Sequence, residues 1–166
     1  LRRYRVSDAG DANKGMEELI NLPEMRDIKM ADSLPSQIRF YQTMYYYLSS
    51  KNKLNEAIDA LTKSLQLWES NPEMIALAPD LYGSTLGNVL GKLSMTGRMD
   101  EAPTFLRKLE QVPVTSKTDE VLKFSEIEIQ HQLYFLNSGK LERVLKREKQ
   151  TLGVINKYGK SIQDST

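Results

Sequence analysis

Hydrophobic residues recur along this chain every three or four positions, which is the spacing of one face of an α-helix. The clearest two stripes lie between Pro35 and Asn71 and are separated by the polar segment 49–53. A short polar break between two amphipathic helices is typical of an antiparallel hairpin. The stripes consist of Ile38, Tyr41, Met44, Tyr45 and Leu48, followed by Leu54, Ala57, Ile58, Leu61, Leu65 and Trp68.

The same arrangement occurs twice more. In the second copy Gly97 stands at the predicted turn, Asp100 is the predicted N-cap of the next helix and Pro103 falls in its first turn. In the third copy the turn falls at 137–139. The second copy has the stripes Leu86, Val89, Leu90 and Leu93, then Met99, Ala102, Leu106 and Leu109. The third has Val121, Phe124, Ile127, His131 and Tyr134, with Leu122, Ile129, Leu133 and Leu136 on a second face, then Leu141, Val144, Leu145, Leu152 and Ile155.

Aligning the three turns reveals an internal repeat. Asn52, Gly97 and Gly139 are 45 and 42 residues apart, and each is followed by a basic, an apolar and a polar residue. We find no run of alternating apolar and polar residues bounded by turn signals, which a strand would need. The 22 leucines outnumber the 9 isoleucines and 7 valines, which also favours helix. The chain is therefore predicted to be an all-α solenoid of stacked hairpins.

The middle of the chain resembles the tetratricopeptide repeat (TPR) family. The resemblance is carried by Leu86, Val89, Leu93, Gly97, Met99, Ala102, Leu106 and Pro113, and less closely by Tyr41, Met44, Leu48, Asn52, Leu54, Ala57 and Leu61. The third copy matches only around 139–144. Tyr45 and Leu90 stand where the family usually has a small residue. The repeats also exceed the family's length of about 34 residues, so extra residues are expected at 70–82 and 112–118.

This resemblance implies a right-handed superhelix of stacked antiparallel helix hairpins, in which the first helix of each pair lines a concave groove. Residues 16–20 and 25–30 predict two helices at the start of the chain, separated by Leu22-Pro23. We expect a degenerate helical unit at 1–36, three TPR-like pairs at 37–72, 73–117 and 118–157, and a C-terminal tail at 158–166.

Composition narrows the function classes. The 23 basic and 22 acidic side chains give a net charge of +1, which argues against a strongly basic nucleic-acid-binding protein. The absence of cysteine excludes a disulfide scaffold, a thiolate nucleophile and cysteine-ligated metal sites. His131 is the single histidine, so multi-histidine metal sites are excluded too. We expect no cofactor, no metal and no transmembrane segment, because no apolar run approaches the roughly 20 residues that span a bilayer.

The start of the chain bears on location. The sequence begins at Leu1 rather than methionine, which indicates that it is processed or excerpted from a longer protein. Arg2, Arg3 and Arg5 resemble the positive start of a signal peptide, but the polar segment 7–11 follows where an apolar core would be needed. We interpret this start as a solvated tail and expect a cytoplasmic protein, with a targeting segment upstream left open.

Candidate chemistry is sparse. His131 has the chemistry of a general base, but its place on an apolar stripe favours a hydrogen-bonded core role. Gly83, Gly87 and Gly91 precede Lys92 as in a phosphate loop, yet the hydroxyl residue and the preceding strand of that motif are missing. The glycines are instead predicted to allow the close approach of a second helix. The basic residues Lys140, Arg143, Lys146, Arg147 and Lys149 are predicted to form the solvated outer face of the last helix, with contact to RNA or an anionic membrane as the alternative.

We therefore expect a non-enzymatic scaffold that binds a peptide or partner helix of unknown identity in its groove, and no nucleic acid. The predicted groove residues are Arg39, Gln42, Tyr46, Ser49, Ser84, Asn88, Met95, Gln130 and Asn137. Their neutral polar character disfavours a strongly charged ligand. Glu126 stands near these positions and would repel a carboxylate, so tight binding of acidic C-terminal tails is not expected.

Two alternatives remain open. In the first alternative, the chain is a sensory or regulatory segment of a larger signalling or transcription-regulating protein and contacts other domains of that protein. In the second it is an enzyme that acts through His131.

Overall fold

The computed structural model describes residues 9–114 and 116–163, and the regular structure in those ranges is entirely helical. The chain divides into two compact units, Leu1–Asn71 and Pro72–Thr166. The first unit contains α1 (Ala9–Ile20), two 3-10 turns (Pro23–Met25 and Ile28–Met30), α2 (Leu34–Ser50) and α3 (Leu54–Glu69). The second unit contains α4 (Pro72–Leu77), α5 (Pro79–Thr96), α6 (Ala102–Gln111), α7 (Lys117–Asn137) and α8 (Leu141–Gln163).

The first unit is built around the hairpin of α2 and α3. The Ser33 hydroxyl caps α2 by accepting a hydrogen bond from the Ser36 amide at 3.3 Å. The two helices bury most of the stripes that the sequence predicts, although Tyr41, Met44 and Leu54 are only half-buried. Each fully buried large apolar side chain stabilises the fold by about 1.5–3 kcal/mol. α1 packs on α2, and an ion pair between Glu17 and Lys51 ties α1 to the end of α2. The buried apolar residues are Ile38, Tyr45 and Leu48 of α2, and Ala57, Ile58, Ala60, Leu61, Leu65 and Trp68 of α3.

The second unit contains two hairpins, α5 with α6 and α7 with α8. α7 also packs on both α5 and α6, so the two hairpins of this unit share one core. Ser116 caps α7 by accepting a hydrogen bond from the Asp119 amide at 3.1 Å. The buried apolar residues of this core are Tyr82, Leu86, Val89, Leu90, Leu93, Met99, Ala102, Leu106, Leu109, Val112 and Phe135.

The three hairpin turns that the sequence aligns have the same backbone geometry. Asn52, Gly97 and Gly139 all adopt the left-handed conformation, with φ of 56°, 73° and 68°. After each of them, the next amide donates to the carbonyl five residues earlier, which closes the C-terminus of the preceding helix. These bonds are Lys53 to Leu48 at 2.9 Å, Arg98 to Leu93 at 3.0 Å, and Lys140 to Phe135 at 2.8 Å. The alignment of the three turns is confirmed.

Some predicted boundaries are wrong. Residues 25–30 form two 3-10 turns rather than one helix, because the Asp27 carboxylate accepts a hydrogen bond from the Lys29 amide and starts a separate turn. Asp100 is not an N-cap, since α6 begins at Ala102 with Pro103 in its first turn. A helix starting much earlier would bring the Pro103 ring against the carbonyl of the residue four positions before it.

Two further differences concern the joints and the tail. The segment 70–82, predicted as a joint, contains the short helix α4 and the first turn of α5. α8 continues to Gln163, so most of the segment 158–166 that was predicted as a tail is helical. Residues 164–166, like the predicted solvated start at 1–8, lie outside the described residues.

The turn geometry predicts opposite effects for two glycine substitutions. Gly97→Ala places a β-carbon on a left-handed residue and should lower the free energy of unfolding by about 1 kcal/mol or more. The matched control Gly153→Ala lies within α8 with open space around the added carbon, and should raise it by about 0.5–1 kcal/mol. Urea denaturation of both variants measures this, and a Gly97→Ala variant as stable as the wild type would contradict the turn.

Candidate functional site

The second unit contains a pocket of about 270 Å³ between α5, the end of α6 and the first half of α7. Its walls are mainly apolar, and three carboxylates stand among them. This volume suits one or two amino-acid side chains, whereas sites for drug-sized ligands and cofactors run from about 300 to 1,000 Å³. The lining residues are Pro79, Asp80, Gly83, Ser84, Leu109, Val112, Pro113, Asp119, Lys123 and Glu126.

Lys123 fixes the floor of this pocket. Its ammonium group donates to the carbonyl oxygens of Glu110 and Val112, at 2.7 and 2.6 Å. These carbonyls belong to the last turn and C-cap of α6, where backbone acceptors lack partners within the helix and the helix dipole favours a cation. Lys123 therefore holds α7 against the end of α6, and its charge is engaged with the backbone rather than with the lining carboxylates.

Glu126 and Gln130 form a polar contact between α7 and α5. The Gln130 amide donates to Glu126 Oε1 at 2.7 Å and to the Gly87 carbonyl at 3.4 Å. A β-carbon at Gly87 would lie 2.5 Å from Glu126 Oε1, so this position has room only for glycine unless the carboxylate moves. The neighbour at Gly87 is thus the end of the flexible Glu126 side chain of α7 rather than the backbone of that helix. An added carbon at Gly83 would meet its neighbours at ordinary contact distance, and Gly91 has nothing within 4 Å.

A buried ion pair joins α7 to α8. Arg147 donates twice to the Glu128 carboxylate, from Nη2 at 2.6 Å and from Nε at 3.0 Å, and Thr151 Oγ1 donates a third hydrogen bond at 3.0 Å. Burial raises the pKa of Glu128, but the hydrogen bonds from Arg147 and Thr151 outweigh it, so the pKa lies below its ordinary value. Arg147 was predicted to be part of a solvated basic face; that prediction is wrong for this residue, because its guanidinium neutralises a buried charge.

His131 lies mostly buried between α7 and α6. Its Nε2 is 2.9 Å from Glu110 Oε1, and its ring stacks on Phe135 with the centroids 5.9 Å apart. Among the described residues, no hydroxyl is hydrogen-bonded to the imidazole as a nucleophile would be. These contacts place the imidazole where α7 meets α6, and among the described residues its buried Nδ1 has no hydrogen-bond partner.

The predicted groove residues fall in both units. On α2 of the first unit, Arg39 is exposed, Gln42 and Ser49 are half-buried, and Tyr46 has 55% of its surface exposed. The three consecutive tyrosines point in different directions: Tyr45 is buried in the core and Tyr47 is half-buried. Tyr46 is therefore the most exposed of the three tyrosines.

The other five predicted residues lie on α5 and α7 of the second unit. Ser84 and Met95 are exposed, and Asn88 is half-buried. Asn137 is exposed and donates to Ser94 Oγ at 3.0 Å. Gln130 is 7% exposed and bonded to Glu126, so its amide is not available at the surface. Of the nine residues, only Ser84 lines the pocket.

Sequence reasoning missed most of the pocket, the Glu128–Arg147 ion pair and the hydrogen bonds from Lys123 to the end of α6. A partial signal for the ion pair is present, since Glu128 stands at a position of the third repeat where an apolar or small residue is expected. No comparable signal points to Lys123, because its partners are backbone carbonyls that carry no sequence information.

The structure also bears on two other kinds of feature, a metal site and a membrane-spanning helix. In the part of the chain that the structure describes, no group of three or more histidine or acidic side chains is placed to hold a metal ion. Within the same residues, no helix has the length and apolar character needed to cross a membrane.

Comparison with protein-family models, with curated proteins and with solved structures gives no match.

The Glu128–Arg147 pair predicts a pH-dependent stability. Glu128→Gln keeps the shape of the side chain but removes its charge, and should lower the free energy of unfolding at pH 7 by about 1.5–3 kcal/mol. Because the folded-state pKa of Glu128 lies below its ordinary value of 4.5, the carboxylate contributes stability above that pH. This contribution is lost as the pH falls through the folded-state pKa, so the difference between wild type and variant should shrink in acid.

Urea denaturation at pH 7 and at several values below 4.5 measures the effect. Glu73→Gln, which removes an exposed carboxylate on α4, is the matched control and should stay near the wild type at pH 7. A gap between Glu128→Gln and the wild type that is constant with pH would show that the charge of Glu128 does not stabilise the fold.

Proposed function

We propose that the chain is a non-enzymatic interaction domain of TPR-like helix hairpins that binds a peptide segment or helix of a partner protein. The observation that carries the proposal is the pocket between α5, α6 and α7, which is open, small and amphipathic. Support for the TPR-like superhelix is local: the three hairpins share one turn geometry, and two of them pack through a glycine contact. The stacking of all three into a superhelix is part of the proposal.

The lining of the pocket indicates what the partner presents. Pro79, Leu109, Val112 and Pro113 offer an apolar wall on which an aliphatic or aromatic side chain can be buried. Such an anchor in a preformed pocket commonly carries much of the binding energy in an interface. We therefore propose that one apolar side chain of the partner inserts between α5 and the end of α6.

The carboxylates of the pocket indicate which kind of side chain the partner presents next to this apolar anchor. Asp80, Asp119 and Glu126 line the pocket, while the Lys123 ammonium is held by two backbone carbonyls. In the lining the acidic side chains Asp80 and Glu126 outnumber the basic Lys123, which favours a basic residue beside the apolar anchor and disfavours an acidic tail. One basic residue is compatible with the exposed, uncharged Ser84 in the lining.

A library experiment tests this proposal. Random peptides displayed on phage are selected on the immobilised full chain, and the selected peptides are titrated against wild type and variants. We expect a consensus with an apolar residue next to Lys or Arg. Ser84→Leu, which fills the mouth of the pocket from an exposed helix position, should weaken binding at least tenfold, or about 1.4 kcal/mol.

Thr104→Leu is the matched control, because it adds an exposed leucine on α6 away from the pocket lining and should leave binding unchanged. Circular dichroism shows that both variants fold. Peptides that bind both leucine variants as tightly as the wild type, or a consensus dominated by acidic residues, would refute the pocket as the binding site.

A further inference from the structure

Helix α8 exposes a stripe of leucines that its own hairpin leaves uncovered. Leu141, Leu145 and Leu152 have 61%, 60% and 53% of their surface exposed, although α8 is packed along α7. The side of α8 that meets α7 carries Val144, Arg147 and Thr151, each of which is partly buried. The leucines are four and seven residues apart, so they lie together on a second face of the helix.

The sequence predicts these three leucines as part of the stripe that packs on the preceding helix, and that prediction is wrong, because α8 meets α7 through Val144, Arg147 and Thr151 instead. A terminal helix of a helical repeat needs a polar outer face to remain soluble without a partner. Large exposed apolar patches commonly mark an interaction surface instead. α7 adds two more exposed apolar residues to the same hairpin, Ile129 and Leu136.

The spacing matches the seam of a two-stranded coiled coil. With Leu145 and Leu152 at the a positions, Leu141 and Glu148 occupy the d positions. Glu148 lowers the stability of such a seam, so the seam predicts a weak association, and its alignment is left to the charges beside it.

Charges beside the seam decide its partner and orientation. Glu142 and Lys149 occupy the e positions, whereas Val144 and Thr151 occupy the g positions. In an antiparallel pair, e positions face e positions, so Glu142 lies beside Lys149 of the partner subunit and Lys149 beside Glu142 of the partner subunit. A parallel pair would set e against g and form neither ion pair.

We propose that the α8 stripe binds a second copy of this chain as an antiparallel helix pair. Two-fold symmetry makes such an interface self-complementary, since each charge meets its opposite twice. Leu141 packs against Leu152 of the partner subunit in this alignment. The flanking charges of both signs favour a second copy over an anionic membrane, for which the stripe would need basic residues on both sides.

Charge reversal with rescue tests the proposal. Sedimentation equilibrium of the full chain should show a concentration-dependent monomer–dimer equilibrium. Glu142→Lys and Lys149→Glu each replace two attractive pairs by two repulsive ones and should raise the dissociation constant about tenfold. The double variant, Glu142→Lys with Lys149→Glu, restores both pairs and should return the dissociation constant to near the wild-type value.

Two further variants separate the seam from general effects. Leu145→Asn should abolish dimerisation with little loss of monomer stability, because this side chain is already largely exposed. Arg107→Glu makes the same change of charge as Lys149→Glu on the exposed face of α6 and should leave the dimer unchanged. Circular dichroism verifies that each variant is helical.

Four outcomes would overturn the proposal. The first is a chain that stays monomeric at the highest concentration, and the second is a dimer that survives Leu145→Asn. The third is a double variant that is not rescued. A monomer that binds phosphatidylserine vesicles through Leu145 would also refute it and assign the stripe to a membrane surface. None of these outcomes depends on the pocket, so they leave the proposed peptide site unaffected.

Discussion

The structure depends on turns in which the chain reverses direction between two helices within three residues. In each turn the last carbonyls of the first helix must still accept hydrogen bonds. An amphipathic helix of this length gains its stability mainly by burying its apolar stripe, and it can do so only if the chain returns at once along the same face. A residue in the left-handed conformation allows that return and lets the following amide close the helix end. Asn52, Gly97 and Gly139 supply this geometry three times. Glycine adopts it without cost, and asparagine is one of the few other residues that tolerate it.

Once the turns are set, the apolar periodicity accounts for most of the core. Leu48, Leu61, Leu86 and Leu106 are buried where their spacing places them, since a single helical face must point at the partner helix. The all-helical class and the helix pairs could therefore be predicted from the sequence. The boundaries were less predictable because they depend on local competition, as where the Asp27 carboxylate caps a separate turn. The prediction of a single helix over residues 25–30 is wrong for that reason.

The polar interior could not be predicted in the same way. Glu128 looks misplaced in an apolar helix and Arg147 looks like a solvated base, and only their pairing across the α7–α8 hairpin explains why both are drawn inside. Lys123 reads as a surface lysine in the sequence, yet its ammonium group closes the end of α6. Since the pocket is shaped by that contact and by the start of α5, its lining follows from tertiary geometry rather than from a motif. Exposed Tyr46 and Ser84 were anticipated because helical spacing places them off the apolar stripes.

The two proposed surfaces use different physics on neighbouring parts of one unit. The pocket is a small concavity lined by apolar and acidic side chains, and the α8 stripe is an apolar helix face flanked by charges of both signs. A partner peptide and a second copy of the chain could therefore be bound by separate residues. Both proposals require that the hairpins keep the helix ends fixed, because a frayed end would remove the carbonyls that Lys123 binds and the start of the α8 stripe.

Amide hydrogen exchange at the three turns tests this account most directly. The amides of Lys53, Arg98 and Lys140 directly follow exposed turn residues but donate to helix carbonyls in the structure. Because each of these amides is hydrogen-bonded, all three amides should exchange as slowly as amides in the adjoining helices. Exchange at the rate of an open loop at any two of them would contradict the shared hairpin geometry on which the fold and both surfaces rest.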